Sequence, residues 1–221
     1  MLFIILVMLT GTHCKSQAIN SSMQYYNFID VPNWKNLQKQ IIDFKNKFTP
    51  PPPETIWWCH FEEEVRKEIP ELLESFESMG LKMKQMIIFT NLYNDIAVTD
   101  NKDPMSIFVH TDREDNPNST YDKVPVLTDF VPTIALNIPL EHCEESTTLF
   151  YSLTDESQDD VYYPTYNCGG HSHSNAVEVE RFNLVQPAVL RVDVPHGVYN
   201  PCKEPRTVAT FRFESDLQDL L

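Results

Sequence analysis

His110 and Asp112 stand two residues apart at the end of an apolar, β-branched run, Ser106-Ile107-Phe108-Val109. In a strand, side chains at i and i+2 leave the same face, so this imidazole and this carboxylate converge on one point. A second imidazole, His196, follows Pro195 at the end of another run, Val189 to Val194. Two imidazoles and one carboxylate brought in by two strand ends are the donor set of the facial triad that binds non-haem Fe(II) and leaves coordination positions open. The set holds no thiolate, which disfavours a structural zinc site. Arg206 follows His196 by ten residues and opens a further apolar run, Thr207 to Phe213. Its planar guanidinium suits a bidentate pair with a carboxylate lying across the metal. With Gly197 to Pro205 as the turn, His196 and Arg206 would point into the same barrel. Arg212 is a second candidate on the same strand face, although it sits far from that turn.

Other motifs carry less. Cys168-Gly169-Gly170-His171-Ser172-His173 places three donors within six residues, a conceivable zinc or copper site. Its Gly-Gly and the lack of an evident fourth donor favour a flexible insertion instead. His60 beside Trp57, Trp58 and Cys59 reads as packing, with the tryptophan pair as an anchor for helices. His142 and Cys143 read as structural residues in a turn.

The elements that must position the triad follow from periodicity. Leu37, Ile41, Ile42, Phe44 and Phe48 recur at near-helical spacing and predict a helix over 33–48, with Asp30 or Asn33 as N-cap. Pro50 to Pro53 stop any helix and force an extended linker. Val65, Ile69, Leu72, Leu73 and Phe76 predict a second helical stretch over 62–79, kinked or split at Pro70 and ended by Gly80. From Lys82 onward the character changes. Six short runs, 86–92, 106–110, 133–139, 147–151, 188–194 and 207–213, predict strands of a sandwich or barrel rather than βαβ units. The chain divides into an apolar N-terminal segment (1–18), a helical support region (19–81) and a β core (82–221).

Composition bounds the function. The 221 residues carry 32 acidic against 17 basic side chains, a formal charge of -15. So acidic a surface attracts neither phosphate backbones nor anionic lipid, so no nucleic-acid partner is expected. With 42% apolar residues the chain can bury a core. Five scattered cysteines without a CxxC pair fit a reducing compartment, hence a cytoplasmic location. Met1 to Leu9 is too short to span a membrane. It has the length of a signal-peptide core, with Ser16-Gln17-Ala18 as cleavage site, but no basic residue precedes it, and the alternatives are a buried first strand or an extension from a misplaced start codon. If it is a signal peptide, the protein is secreted.

The wording around the triad is Ala135-Leu136-Asn137-Ile138-Pro139-Leu140, Cys143-Glu144, Val194-Pro195-His196-Gly197-Val198-Tyr199-Asn200, Glu204-Pro205-Arg206 and Phe211-Arg212-Phe213. With His110-x-Asp112, these residues resemble the Fe(II)/2-oxoglutarate-dependent dioxygenases. The likeness is to small members from phages and marine microbes, related to aspartyl/asparaginyl and prolyl hydroxylases. The resemblance covers residues 85–213. It implies a double-stranded β-helix, a jelly-roll or cupin-like barrel packed against N-terminal helices. It further implies Fe(II) on His110, Asp112 and His196, with 2-oxoglutarate and O2 as co-substrates and ascorbate as a candidate reductant. Arg206 would hold the distal carboxylate of 2-oxoglutarate, with Tyr93, Asn137 and Thr210 nearby. The substrate implied is a small molecule or peptide.

Two features depart from the family pattern. Val208 stands where the family often has a hydroxyl two residues after the arginine, leaving Thr210 as the hydroxyl on that face. A polar stretch, Arg113 to Asp122, replaces a tighter loop and is either a substrate lid or a sign of lost turnover. The rival readings are a non-catalytic binding or accessory protein on the same barrel, virion- or surface-associated, and a cupin-type metal enzyme that does not use 2-oxoglutarate.

Overall fold

A computed structural model describes residues 23–49, 57–99, 105–112, 133–155, 161–163 and 168–221. The segment 1–18, the proline run 50–53, the polar stretch 113–122 and residues 156–160 lie outside these ranges.

Helix α1 (Trp34–Phe48) buries Leu37, Ile41 and Phe44 along one stripe, as their spacing requires. Asn33 begins it with a left-handed backbone (φ 57°), and its side chain makes no capping hydrogen bond. Proline divides the second helical stretch into α2 (Glu62–Glu68) and α3 (Pro70–Ser78). Lacking an N–H, Pro70 cannot continue α2, yet it is suited to the first turn of α3. Gly80, at φ 77°, ends α3.

Among the described residues, twelve strands form two six-stranded antiparallel sheets. The first sheet runs β1 (Tyr26–Phe28), β10 (Ala188–Arg191), β5 (Ile134–Glu141), β12 (Arg206–Phe213), β3 (Met83–Asn91), β2 (Trp57–Phe61). The second runs β7 (Val161–Tyr163), β8 (Cys168–Gly170), β4 (His110–Asp112), β11 (His196–Tyr199), β6 (Thr147–Leu153), β9 (Ala176–Phe182). The chain winds between them in nested antiparallel pairs: β3 with β12, β4 with β11, β5 with β10, and β6 with β9. Pairs of this kind, alternating between two facing sheets, are the winding of a double-stranded β-helix.

Alternation along each strand divides the interior into layers. Met86, Ile88, Leu136, Ile138, Ala209, Phe211 and Phe213 face the helices and join Leu37, Ile41, Leu72 and Phe76 in the largest core cluster. Phe76 meets Phe211 and Phe213 edge-on, at 4.9 and 5.2 Å between ring centroids. On the opposite face, Ala135, Leu190 and Val208 meet Phe150 and Phe182 of the second sheet. A third cluster, Ile107, Val109, Leu149 and Tyr151, forms apart from both.

Several expectations are corrected. Ser106 to Val109 is not a strand; β4 begins at His110. His196 does not end the run 189–194. It opens β11 in the second sheet, whereas β10 belongs to the first and stops at Arg191. Gly197 to Tyr199 extend β11, so the turn before Arg206 is only Asn200 to Pro205. Cys168 to Gly170 is not a flexible insertion but strand β8, paired to β4. Strands β1 and β2 come from the region read as helical support, and β9 carries five consecutive exposed residues, which hid it from a search for half-buried runs.

Candidate metal centre

β4 and β11 lie side by side with His110 and His196 as direct partners. His110, Asp112 and His196 offer ligand atoms that all lie within 4.8 Å of one another, the one such cluster of three among the described residues. His110 Nε2 is 3.5 Å from Asp112 Oδ1. Donors in cis positions about 2.1 Å from a metal lie about 3 Å apart, so side-chain adjustment of an ångström or two closes this set on an ion.

The tautomers are fixed by the backbone. His110 Nδ1 lies 3.1 Å from the Phe108 carbonyl and His196 Nδ1 lies 2.9 Å from the Val194 carbonyl. A carbonyl only accepts, so each Nδ1–H donates, and in the neutral ring that tautomer leaves the Nε2 lone pair for a metal. Burial, reinforced by nearby His110 and opposed by Asp112, pushes the His196 pKa down to about 4. It is therefore neutral and competent as a ligand at pH 7. Burial alone would raise the Asp112 pKa, but Arg212 with the two imidazoles outweighs it and holds the carboxyl below its ordinary value. Arg212 Nη2 donates to Asp112 Oδ2 at 2.7 Å.

The close approach of chains beside the triad demands a glycine. A Cβ on Gly197 would lie 2.8 Å from Ile107 Cγ2 and 2.9 Å from the Phe108 carbonyl oxygen. Any side chain there would drive the lead-in of β4 away from β11 and separate His110 from His196.

Along β12 the barrel-facing positions are Arg206, Val208, Thr210 and Arg212. Arg206 is 3% exposed, and its Nη1 donates to Asn91 Oδ1 at 2.7 Å. Burial pulls its pKa down, with the Cys143 thiol beside it partly opposing. No carboxylate among the described residues pairs with this guanidinium. A buried cation without a counter-charge is costly, and an incoming carboxylate would relieve that cost. Asn200, wholly buried, donates Nδ2–H to the Asn91 and Glu204 carbonyls and so ties the turn before β12 to the end of β3. Thr210 is the register partner of Asn137, and both are buried. Among the described residues, Asn137 Oδ1 is buried without a hydrogen-bond partner, as is Gln85 Nε2 on β3 opposite Arg212. Unsatisfied groups of this kind are uncommon and mark places where another polar group can dock.

The structure therefore brings His110, Asp112 and His196 together and lines one face of the first sheet with Arg206, Asn137 and Thr210. Tyr93, 39% exposed beyond the end of β3, joins none of these contacts. Sequence reading missed Asn91 and Gln85. Their signal was a polar residue at an inward position of an otherwise apolar strand, Met83-Lys84-Gln85-Met86-Ile87-Ile88-Phe89-Thr90-Asn91. Arg212 shares the barrel-facing side of β12 with Arg206 by its even spacing, but its reach to Asp112 depends on a register that the sequence does not show.

Fold and site define a double-stranded β-helix whose His-Asp-His cluster could bind a divalent metal. Scans of protein-family models and of curated proteins return no match. Among solved structures the chain is similar to a non-heme alpha ketoglutarate dependent carbocyclase, SnoK, from nogalamycin biosynthesis. The identity is 12% and the TM-score 0.41, covering 89% of this chain and 84% of that one. It is also similar to EvdMO1, with 15% identity and a TM-score of 0.40 over 86% of this chain and 47% of that one, so it spans about half of EvdMO1. The nested strand pairing, not these likenesses, establishes the winding. No helix among the described residues is long and apolar enough to cross a membrane.

Proposed function

We propose that the protein is an Fe(II)- and 2-oxoglutarate-dependent dioxygenase that hydroxylates a small molecule or peptide. The observation that carries this reading is the triad: two imidazoles with Nε2 left free, beside an ionised carboxylate, at separations that close on one metal. The donor types suit Fe(II). With 2-oxoglutarate and O2, bound iron supplies an oxidant able to replace a C–H bond of the substrate by C–OH, yielding succinate and CO2.

The chain's own residues do the rest. His110 and His196 supply two ligands and Asp112 a third through Oδ1, since Oδ2 is engaged by Arg212. That ion pair keeps the carboxylate ionised and discourages it from turning both oxygens to the metal. Arg206 would receive the far carboxylate of 2-oxoglutarate, exchanging solvation in water for a charge-assisted pair in a buried site. Thr210 and Asn137 border the same inner face, where Asn137 Oδ1 still lacks a donor. No side chain need act as nucleophile.

The test is succinate formation from 2-oxoglutarate in the presence of Fe(II), O2 and ascorbate. Wild type is expected to release succinate, slowly without substrate, and His110→Ala is expected to release none above background. Equal release by the two proteins would end this reading.

A further inference from the structure

We propose that the segment Cys168–Asn175 is a clip that sets the position of two of the three metal ligands, with His171 and His173 as positioning residues. This rests on the reading of His110, Asp112 and His196 as a metal site. β4, which carries His110 and Asp112, is three residues long, and its only register partner on β11 is His196 facing His110. On its other side β8 pairs with all three of its residues: His110 with Gly170, Thr111 with Gly169, and Asp112 with Cys168. The strand that bears the ligands is thus held in register chiefly by β8 rather than by the barrel strand it must face.

The chain beyond β8 then fastens the rest. The His171 backbone N–H donates to the Val109 carbonyl at 2.9 Å, carrying the ladder past His110. Its buried imidazole bonds Thr111 Oγ1 through Nε2 at 2.7 Å. Thr111 lies between the two ligands and, by alternation, projects from the opposite face of β4. His173 Nε2 lies 2.7 Å from the Ile107 carbonyl, so it donates there, and it lies 3.1 Å from Ser106 Oγ. The two imidazoles therefore grip β4 and its lead-in. Their Nε2 atoms are engaged in these bonds, and neither residue belongs to the metal cluster.

Loosening the clip lets His110 and Asp112 drift relative to His196, whose strand β11 is fixed independently by four register pairs to β6, His196 itself facing Phe150. Removing partners that orient ligands typically lowers metal affinity by about 10–100-fold. The probe is Co(II), whose visible absorption reports its coordination, titrated into wild type, His171→Ala, His171→Asn and Thr111→Val, with thermal unfolding of each metal-free protein alongside. The expected result is at least a tenfold loss of Co(II) affinity and an altered spectrum for His171→Ala, in protein that still unfolds cooperatively. Thr111→Val, which removes only the hydroxyl, should reproduce a part of that loss, and His171→Asn should recover a part of it. If wild type binds Co(II) and Thr111→Val and His171→Ala bind it equally well, the clip is overturned while the metal site stands. If wild type binds none, the metal site itself is overturned and the clip with it.

Discussion

The two faces of β12 are made from one stretch of eight residues, Arg206–Phe213, and share one backbone, yet they are opposite in character. Ala209, Phe211 and Phe213 point to the helices and are part of the largest apolar cluster. Arg206, Thr210 and Arg212 point into the barrel, where two guanidinium groups lie at 3 and 4% exposure. Apolar burial on the first face stabilises the fold by roughly 25 cal/mol per Å² removed from water. Burial on the second works against the fold, because cations there lose hydration. The chain tolerates the second face because the first secures the strand, so stability and chemistry should be separable by substitution on a single strand.

The largest expected effect comes from the helix-facing side. Phe211→Ala leaves a cavity against Phe76 and should lower unfolding stability by about 3–5 kcal/mol in denaturant titration. Metal affinity of the remaining folded protein should not change, and a matching loss of both would show that the faces are not independent. Next, Arg212→Met strips Asp112 of its cation. Removing one partner of a buried pair costs about 3–5 kcal/mol, and the partial exposure of Asp112 argues for the low end. Added Co(II) should restore much of that stability, because the metal replaces the lost positive charge.

Arg206→Met tests the opposite case. Among the described residues its guanidinium has no carboxylate partner to abandon, so the metal-free protein should be no less stable than wild type by thermal unfolding. Affinity for 2-oxoglutarate, measured by calorimetry on metal-loaded protein, should fall by about 10–100-fold, the weight of a charge-assisted bond of about 1.5–3 kcal/mol. A stable variant with unchanged 2-oxoglutarate affinity would remove Arg206 from the site. Thr210→Val should cost less, about 2–10-fold in the same titration, for a neutral hydrogen bond.

The smallest effect is a dependence on pH from the helix side. His60 is buried among Phe44, Thr49 and Glu64, and burial lowers its pKa despite the opposing bond to Glu64. Unfolded, it takes up a proton near pH 6.5, while the folded side chain resists protonation to lower pH. Stability from this group is therefore complete above about pH 6.5 and declines as pH falls below it. His60→Gln should flatten the stability profile between pH 7 and 5 while leaving Co(II) affinity at pH 7 unchanged.

How much of this was legible in the sequence follows from what each signal depends on. Period-2 and period-3.6 patterns depend on burial, so α1, the break at Pro70 and the alternation of β12 could be read directly. The pairing of His110 with Asp112 could be read because i and i+2 in a strand share a face wherever the strand goes. Register could not be read. That His196 opens β11 rather than ending β10, and that Arg212 reaches Asp112, depends on which strands become neighbours across the barrel. Short strands held by their partners, such as β8, have no periodicity of their own, and the Gly-Gly that argued for mobility instead allows close pairing with β4.

The central claim is that the triad and Arg206 form one site for iron and 2-oxoglutarate. Anaerobic calorimetric titration of 2-oxoglutarate into Fe(II)-loaded protein tests it most directly. One equivalent should bind to wild type, none should bind to His110→Ala, and binding to Arg206→Met should be weakened by at least tenfold. Wild-type protein that holds Fe(II) at the triad yet shows no affinity for 2-oxoglutarate would contradict the claim.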